Sequence, residues 1–114
     1  MRIARCLLLA VLTALLSTGI AIAQENAEIT GVVSDSTGAV VAGASVTVTA
    51  GETGAKRTTV TNSNGLYDFP GLAIGQYTLT ISAPGFEAYS QTGIVVNVAQ
   101  TLRVNATLSV GGSN

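Results

Sequence analysis

The 114-residue chain has room for one domain, and its few charges (five Lys and Arg against six Asp and Glu) and complete lack of histidine narrow what it can do. The single cysteine, Cys6, lies in the N-terminal segment, so zinc or copper sites of the usual kinds and Ser–His or Cys–His nucleophiles are excluded from the rest. With so few basic residues there is no clustered cationic surface for nucleic-acid phosphates.

The chain opens with Arg2 and Arg5, runs apolar from Leu7 to Leu16, and loosens into Ser17, Thr18 and Gly19 before Ala21-Ile22-Ala23. A basic stretch, an apolar stretch and small residues one and three positions before a cut form the pattern of a secretory signal. Residues 1–23 are therefore expected to be a signal peptide cleaved before Gln24, which makes the product exported. A retained span from Cys6 to Ala23 is the poorer fit, being near the short limit for crossing a bilayer and interrupted by polar and glycine residues. Cys6 precedes the apolar stretch, whereas a lipid-anchored cysteine follows it, so no lipid anchor is expected. The mature part carries Lys56, Arg57 and Arg103 against Glu25, Glu28, Asp35, Glu52, Asp68 and Glu87, a net of 3 − 6 = −3.

From residue 24 onward the pattern has a period of two, the signature of strands, with no stretch at helical spacing. In "AEITGVVSD", Ile29, Gly31 and Val33 share one face. Gly38 and Gly43 punctuate the turn that follows. "SVTVTA" places Val46 and Val48 on one side and Ser45, Thr47 and Thr49 on the other, as in a sheet with one wet face. "AKRTTVTN" is polar on both faces apart from Val60, which suits an edge guarded by Lys56 and Arg57. Asn64-Gly65 predicts a tight turn with positive φ at both residues. Tyr67 and Phe69 follow on one face, and Pro70-Gly71 is expected to end that strand. "QYTLTISA" alternates Tyr77, Leu79 and Ile81 inward with Thr78, Thr80 and Ser82 outward. "YSQTGIVVNVA" and a continuous "TLRVNATLSV" complete seven strands, a two-sheet sandwich over residues 24–109. Residues 110–114 are expected to be a flexible tail.

The remaining polar residues offer little chemistry. Asp35, Glu52, Asp68 and Glu87 could supply a carboxylate pair, but nothing in the sequence brings two together. Asp35 in "SDSTG" fits a turn cap far better than a calcium ligand. Lys56, the only lysine, could be imagined crosslinking to an asparagine as in some adhesin repeats, yet an exposed loop-side lysine is the simpler reading. Asn105-Ala106-Thr107 matches a glycosylation acceptor but falls within an expected strand. No catalytic residue, metal or cofactor is expected.

Three of the five aromatic residues, Tyr67, Phe69 and Tyr77, lie within eleven positions. A ligand platform is one reading, but Tyr67 and Phe69 share one face and, with Leu72, most simply fill the space between the sheets. The stretch therefore reads as a signature of the fold, and a partner is sought at the loops and exposed edges. Leu72-x-x-Gly75-x-Tyr77 is similar to a tyrosine corner, whose hydroxyl bonds to upstream backbone while the glycine lets the chain pass close to the ring.

Taken jointly, Ile29, Gly31, Val33, Asp35, Gly38, Val41, Gly43, Ala44, Val46 and Val48, then Thr61, Gly65, Tyr67, Phe69, Leu72, Gly75, Tyr77, Leu79 and Ile81, resemble the carboxypeptidase regulatory-like domain. The resemblance covers roughly residues 28 to 108 and implies an all-β, seven-stranded Greek-key sandwich of transthyretin-like type. It also implies an accessory, non-catalytic role. The family occurs beside metallocarboxypeptidases and, directly after a signal peptide, at the N-terminus of TonB-dependent outer-membrane receptors. The expectation is thus a docking module for a protein partner in the periplasm or at the outer membrane. The alternative is a stand-alone or secreted module binding carbohydrate or a peptide, for which Tyr67, Tyr77 and Tyr89 should be exposed. Hydroxyisourate hydrolase shares the fold, but its histidines and Tyr-Arg-Gly-Ser end are absent here.

Overall fold

Strict alternation puts every second side chain on one face, and the segments that alternate most cleanly lie at the centre of a sheet. The computed structural model describes residues 26–111, so the expected signal peptide lies outside the described residues. The described chain is all-β, with β1 (Asn26–Asp35), β2 (Ser45–Ala50), β3 (Lys56–Val60), β4 (Leu66–Ala73), β5 (Gly75–Ser82), β6 (Tyr89–Val96), β7 (Thr101–Arg103) and β8 (Ala106–Leu108). One sheet runs β3-β2-β5-β6, antiparallel throughout. In the other, β1 pairs with β4 on one side and, in parallel, with β7 and then β8 on the other. The inner faces meet in a core of Ile29, Val33, Val46, Val48, Phe69, Leu79, Ile81, Val96 and Leu108, all essentially without solvent contact. Each such side chain contributes about 1.5–3 kcal/mol relative to exposure, the main term that holds a disulfide-free sandwich together.

Three expectations are corrected. The last strand does not run unbroken from Thr101: it stops at Val104 and Asn105 and resumes as β8, giving eight strands where seven were expected. The cause is Gly31 on the neighbouring β1, because the Val104 backbone approaches so closely that a Cβ on Gly31 would overlap its carbonyl oxygen. Val104 N–H donates to Thr30 O at 2.8 Å, and the Asn105 side chain accepts from Val32 N–H at 3.0 Å, standing in for a backbone carbonyl. The β1 ladder then continues at Val33↔Ala106.

Pro70-Gly71 does not end its strand. The register moves from Ala27↔Leu72 to Ile29↔Phe69, so β4 carries one extra residue and bulges past Glu28. Gly71 supplies φ +66, Pro70 sits on a sheet edge where no ladder donor is needed, and Leu72 returns to the inner face beyond the bulge. Finally, the start of the expected loose tail is paired: Val110 bridges Phe86, Gly111 N–H donates to Gly85 O at 2.9 Å, and Glu87 N–H to Ser109 O at 2.8 Å.

Candidate functional site

The aromatic stretch is interior. Tyr67 is 3 % exposed, Phe69 1 %, Leu72 2 % and Tyr77 7 %. Tyr89 is partly buried against the same core, with its hydroxyl on Gln91 Oε1 at 2.8 Å. Tyr67 and Tyr77 are thus interior, as the core-filling reading expects, and the glycan-binding alternative loses the exposed tyrosine platform it required. Tyr77 hydroxyl donates to Ala73 O at 2.6 Å, four residues upstream. Gly75, the first residue of β5, has φ +142, but a Cβ there would meet nothing within 4 Å. Backbone conformation, not the close passage of the ring, is what requires glycine.

Tyr67 holds the second anchor, which sequence reading missed. Its hydroxyl donates to Val104 O, the buried carbonyl at the break where β7 gives way to β8, 37 residues away. Burial, with a smaller contribution from nearby Tyr89, pushes its phenol up to about 12. The only sequence sign of this contact is the juxtaposition of Gly31 and Tyr67 in one family pattern, which says nothing of Val104.

The turns are closed by side chains of their own. Asp35 Oδ1 accepts from Thr37 Oγ1 at 2.6 Å, Thr37 N–H at 2.9 Å and Ala39 N–H at 3.1 Å. These bonds, the Thr37 hydroxyl foremost, hold its carboxyl below the usual carboxylate range. Asn62 does the same for the next hairpin, its Oδ1 accepting from Asn64 N–H at 2.9 Å and Leu66 N–H at 3.0 Å. Positive φ is confined to Gly65, at +73, and Asn64 does not share it as expected. A Cβ on Gly65 would stand 2.7 Å from Val33 O, so the position demands glycine on two counts. Buried Thr61 links this hairpin to the β1–β2 connection, donating to Val41 O at 2.7 Å and accepting from Ala44 N–H at 2.9 Å. Gly43, at φ +73, donates its N–H to Thr61 O at 3.0 Å.

Two different outer faces result. On the β4-β1-β7 sheet, Thr30 is flanked in register by Asp68 and Arg103, with Glu28 one step along β1, a shallow cleft of mixed charge. On the β3-β2-β5-β6 sheet the registers align hydroxyls: a row Thr58–Thr47–Thr80–Ser90 crosses all four strands, flanked by Ser45–Ser82 and by Thr49–Thr78. Thr47 and Thr58 hydroxyls are 3.0 Å apart, while β2, β5 and β6 carry no charged residue. Lys56 ends the Thr49–Thr78 row on edge strand β3 and is exposed. Arg57 turns the other way: its guanidinium lies 5.8 Å from the Phe69 ring centre and donates to Pro70 O at 2.7 Å, closing the gap between the sheets.

Among the described residues no three His, Cys, Asp or Glu side chains gather as a metal site. Asn105 of the glycosylation triplet is engaged by Val32 N–H.

The sequence profile of the carboxypeptidase regulatory-like domain matches residues 28–109. No curated protein sequence matches the chain. Among solved structures the fold is similar to a candidate carbohydrate binding protein from Bacteroides uniformis (19 % identity, TM-score 0.60, covering 72 % of this chain and 40 % of that one). It is similar also to the Bacillus anthracis TIE protein (16 %, 0.62, covering 75 % and 17 %) and to chlorocatechol 1,2-dioxygenase from Pseudomonas putida (12 %, 0.61, covering 80 % and 63 %). The chain thus spans less than two thirds of the length of each, and identities this low speak for the fold alone.

Proposed function

The chain belongs to the carboxypeptidase regulatory-like domain family, and on that premise we propose that it is an exported, non-catalytic docking module of the bacterial cell envelope. The observation that carries the reading is a spacing: only Gln24 and Glu25 separate the small-residue motif Ala21-Ile22-Ala23 from the first hydrogen-bonded strand at Asn26. A signal followed at once by an accessory sandwich is the arrangement of the N-terminal extension of a TonB-dependent receptor. Such a module works in the periplasm or at the outer membrane, with a protein as partner. The dioxygenase likeness carries no activity across, since the chain has no histidine from which an iron site of mixed ligands could be drawn.

Expression of the full chain with a C-terminal tag in a Gram-negative host tests the export step. The expected product starts at Gln24 and partitions with the periplasm or outer membrane; a cytoplasmic product starting at Met1 overturns it. Sequencing the DNA past codon 114 tests the receptor context. A plug and barrel, in frame or shifted, supports it, and an unrelated operon removes it.

A further inference from the structure

We infer that the outer face of the β3-β2-β5-β6 sheet is a docking face for a neutral polysaccharide, read by its ordered hydroxyls rather than by aromatic platforms. Strand spacing and rise place the hydroxyls of this face on a grid of about 4.8 Å by about 6.7 Å. Threonine is stiff at χ1, so each hydroxyl on a strand is held in a narrow range of directions, and each can both donate and accept. Apart from the Thr47–Thr58 pair, the hydroxyls of the central row make no hydrogen bond within the described protein. They are free to exchange water for the hydroxyls of a polyol.

Charge and apolar content select this occupant over others. β2, β5 and β6 carry no charge, and on β3 Arg57 turns inward and leaves Lys56 alone at the margin, whereas the described residues sum to three basic against five acidic groups, 3 − 5 = −2. An anionic polymer would meet net repulsion; a neutral one would not. A protein partner would want a buried aromatic or aliphatic anchor at the centre of its interface, but the exposed apolar residues of this sheet, Val60 and Val95, lie at its edges. The face spans about 14 Å across four strands, too small for a tight interface, so binding is expected to be weak per site and to show on a repeating polymer. The inference stands apart from the receptor context and holds or fails without it.

Retention of the purified protein on microcrystalline cellulose, insoluble starch and curdlan tests it. The expected result is retention on at least one, reduced about tenfold in a Thr47→Val/Thr80→Val variant, which removes two hydroxyls at constant shape. Asp68→Asn on the opposite sheet should leave retention unchanged. In the wild-type protein, the methyl signals of Thr47 and Thr80 should shift when a soluble oligosaccharide of the retaining polymer is added, while those of Thr30 and Thr101 stay still. Absence of retention on all three polymers, equal retention of the double valine variant, or shifts confined to the other sheet would overturn the inference. So would a dimer in solution whose formation the double variant abolishes, since a second copy would then cover the face.

Discussion

The two sheets of this sandwich are held to their registers by different means. In β3-β2-β5-β6 the β2 pairings run without a slip from Ser45 to Ala50 against β5, and the only irregularity is a bulge on edge strand β6. In β4-β1-β7 the centre strand is bordered by a bulge at Pro70-Gly71 and by a ladder that breaks and restarts around Gly31, Val104 and Asn105. Periodicity alone specifies the first sheet, so many small, interchangeable side chains suffice. The second depends on single atoms that no neighbour can replace.

Substitutions should expose that difference. Gly31→Ala forces a methyl into Val104 O and to within 2.7 Å of the Tyr67 hydroxyl. A loss of about 3 kcal/mol is expected, read as a drop in the denaturation midpoint, because a backbone rather than a flexible side chain must yield. A loss below about 0.5 kcal/mol would mean that β7 and β8 can shift freely. Tyr67→Phe leaves the buried Val104 carbonyl without its donor and should cost about 2 kcal/mol by the same measurement. It should also remove a pH dependence. With the folded phenol pushed up to about 12 and the unfolded one near 10, the stability from this group is complete below pH 10. It falls as the pH rises from about 10 to about 12, because the unfolded chain loses its proton first. Midpoints of wild type and Tyr67→Phe should therefore converge across that interval.

Tyr77→Phe, which removes the local bond to Ala73 O, should cost about 1 kcal/mol, and an unchanged midpoint would sink the corner assignment. Thr47→Val, in the regular sheet, should move stability by no more than about 0.5 kcal/mol in either direction. A larger loss there would erase the contrast between the sheets.

The same contrast explains what could be read in advance. β2 and β5 were legible because Val46, Val48, Tyr77, Leu79 and Ile81 alternate with hydroxyl residues, and alternation is a local property. The turn cap at Asp35 was legible for the same reason, its partners lying within four residues. The break at Val104 was not, since Leu102, Val104, Ala106 and Leu108 keep a perfect period of two through it, and only the distant Gly31 reveals the close approach. Pro70-Gly71 read as a stop because the sequence shows a lost donor but not which side of the strand faces a partner. Gly75 was rightly singled out for the wrong cause. For the candidate site, the outward hydroxyls of β2 and β5 could be seen, but their alignment with Thr58 and Ser90 follows from registers fixed by strand pairing. That Tyr67 and Phe69 fill the core was legible from their shared face, whereas the bond from Tyr67 to Val104 was not, because it depends on what packs across the sandwich.

The parallel placement of β7 and β8 along β1 has a mechanical consequence. β1 starts at Asn26 and ends beside Leu108, so the described chain begins at one pole and ends, at Gly111, near the other. Tension between those two points pulls parallel neighbours in opposite directions along their length. The bonds at Glu28–Thr30 and Val33–Asp35 are then loaded together, in shear, rather than opened one at a time. A module strung in line this way yields late and all at once.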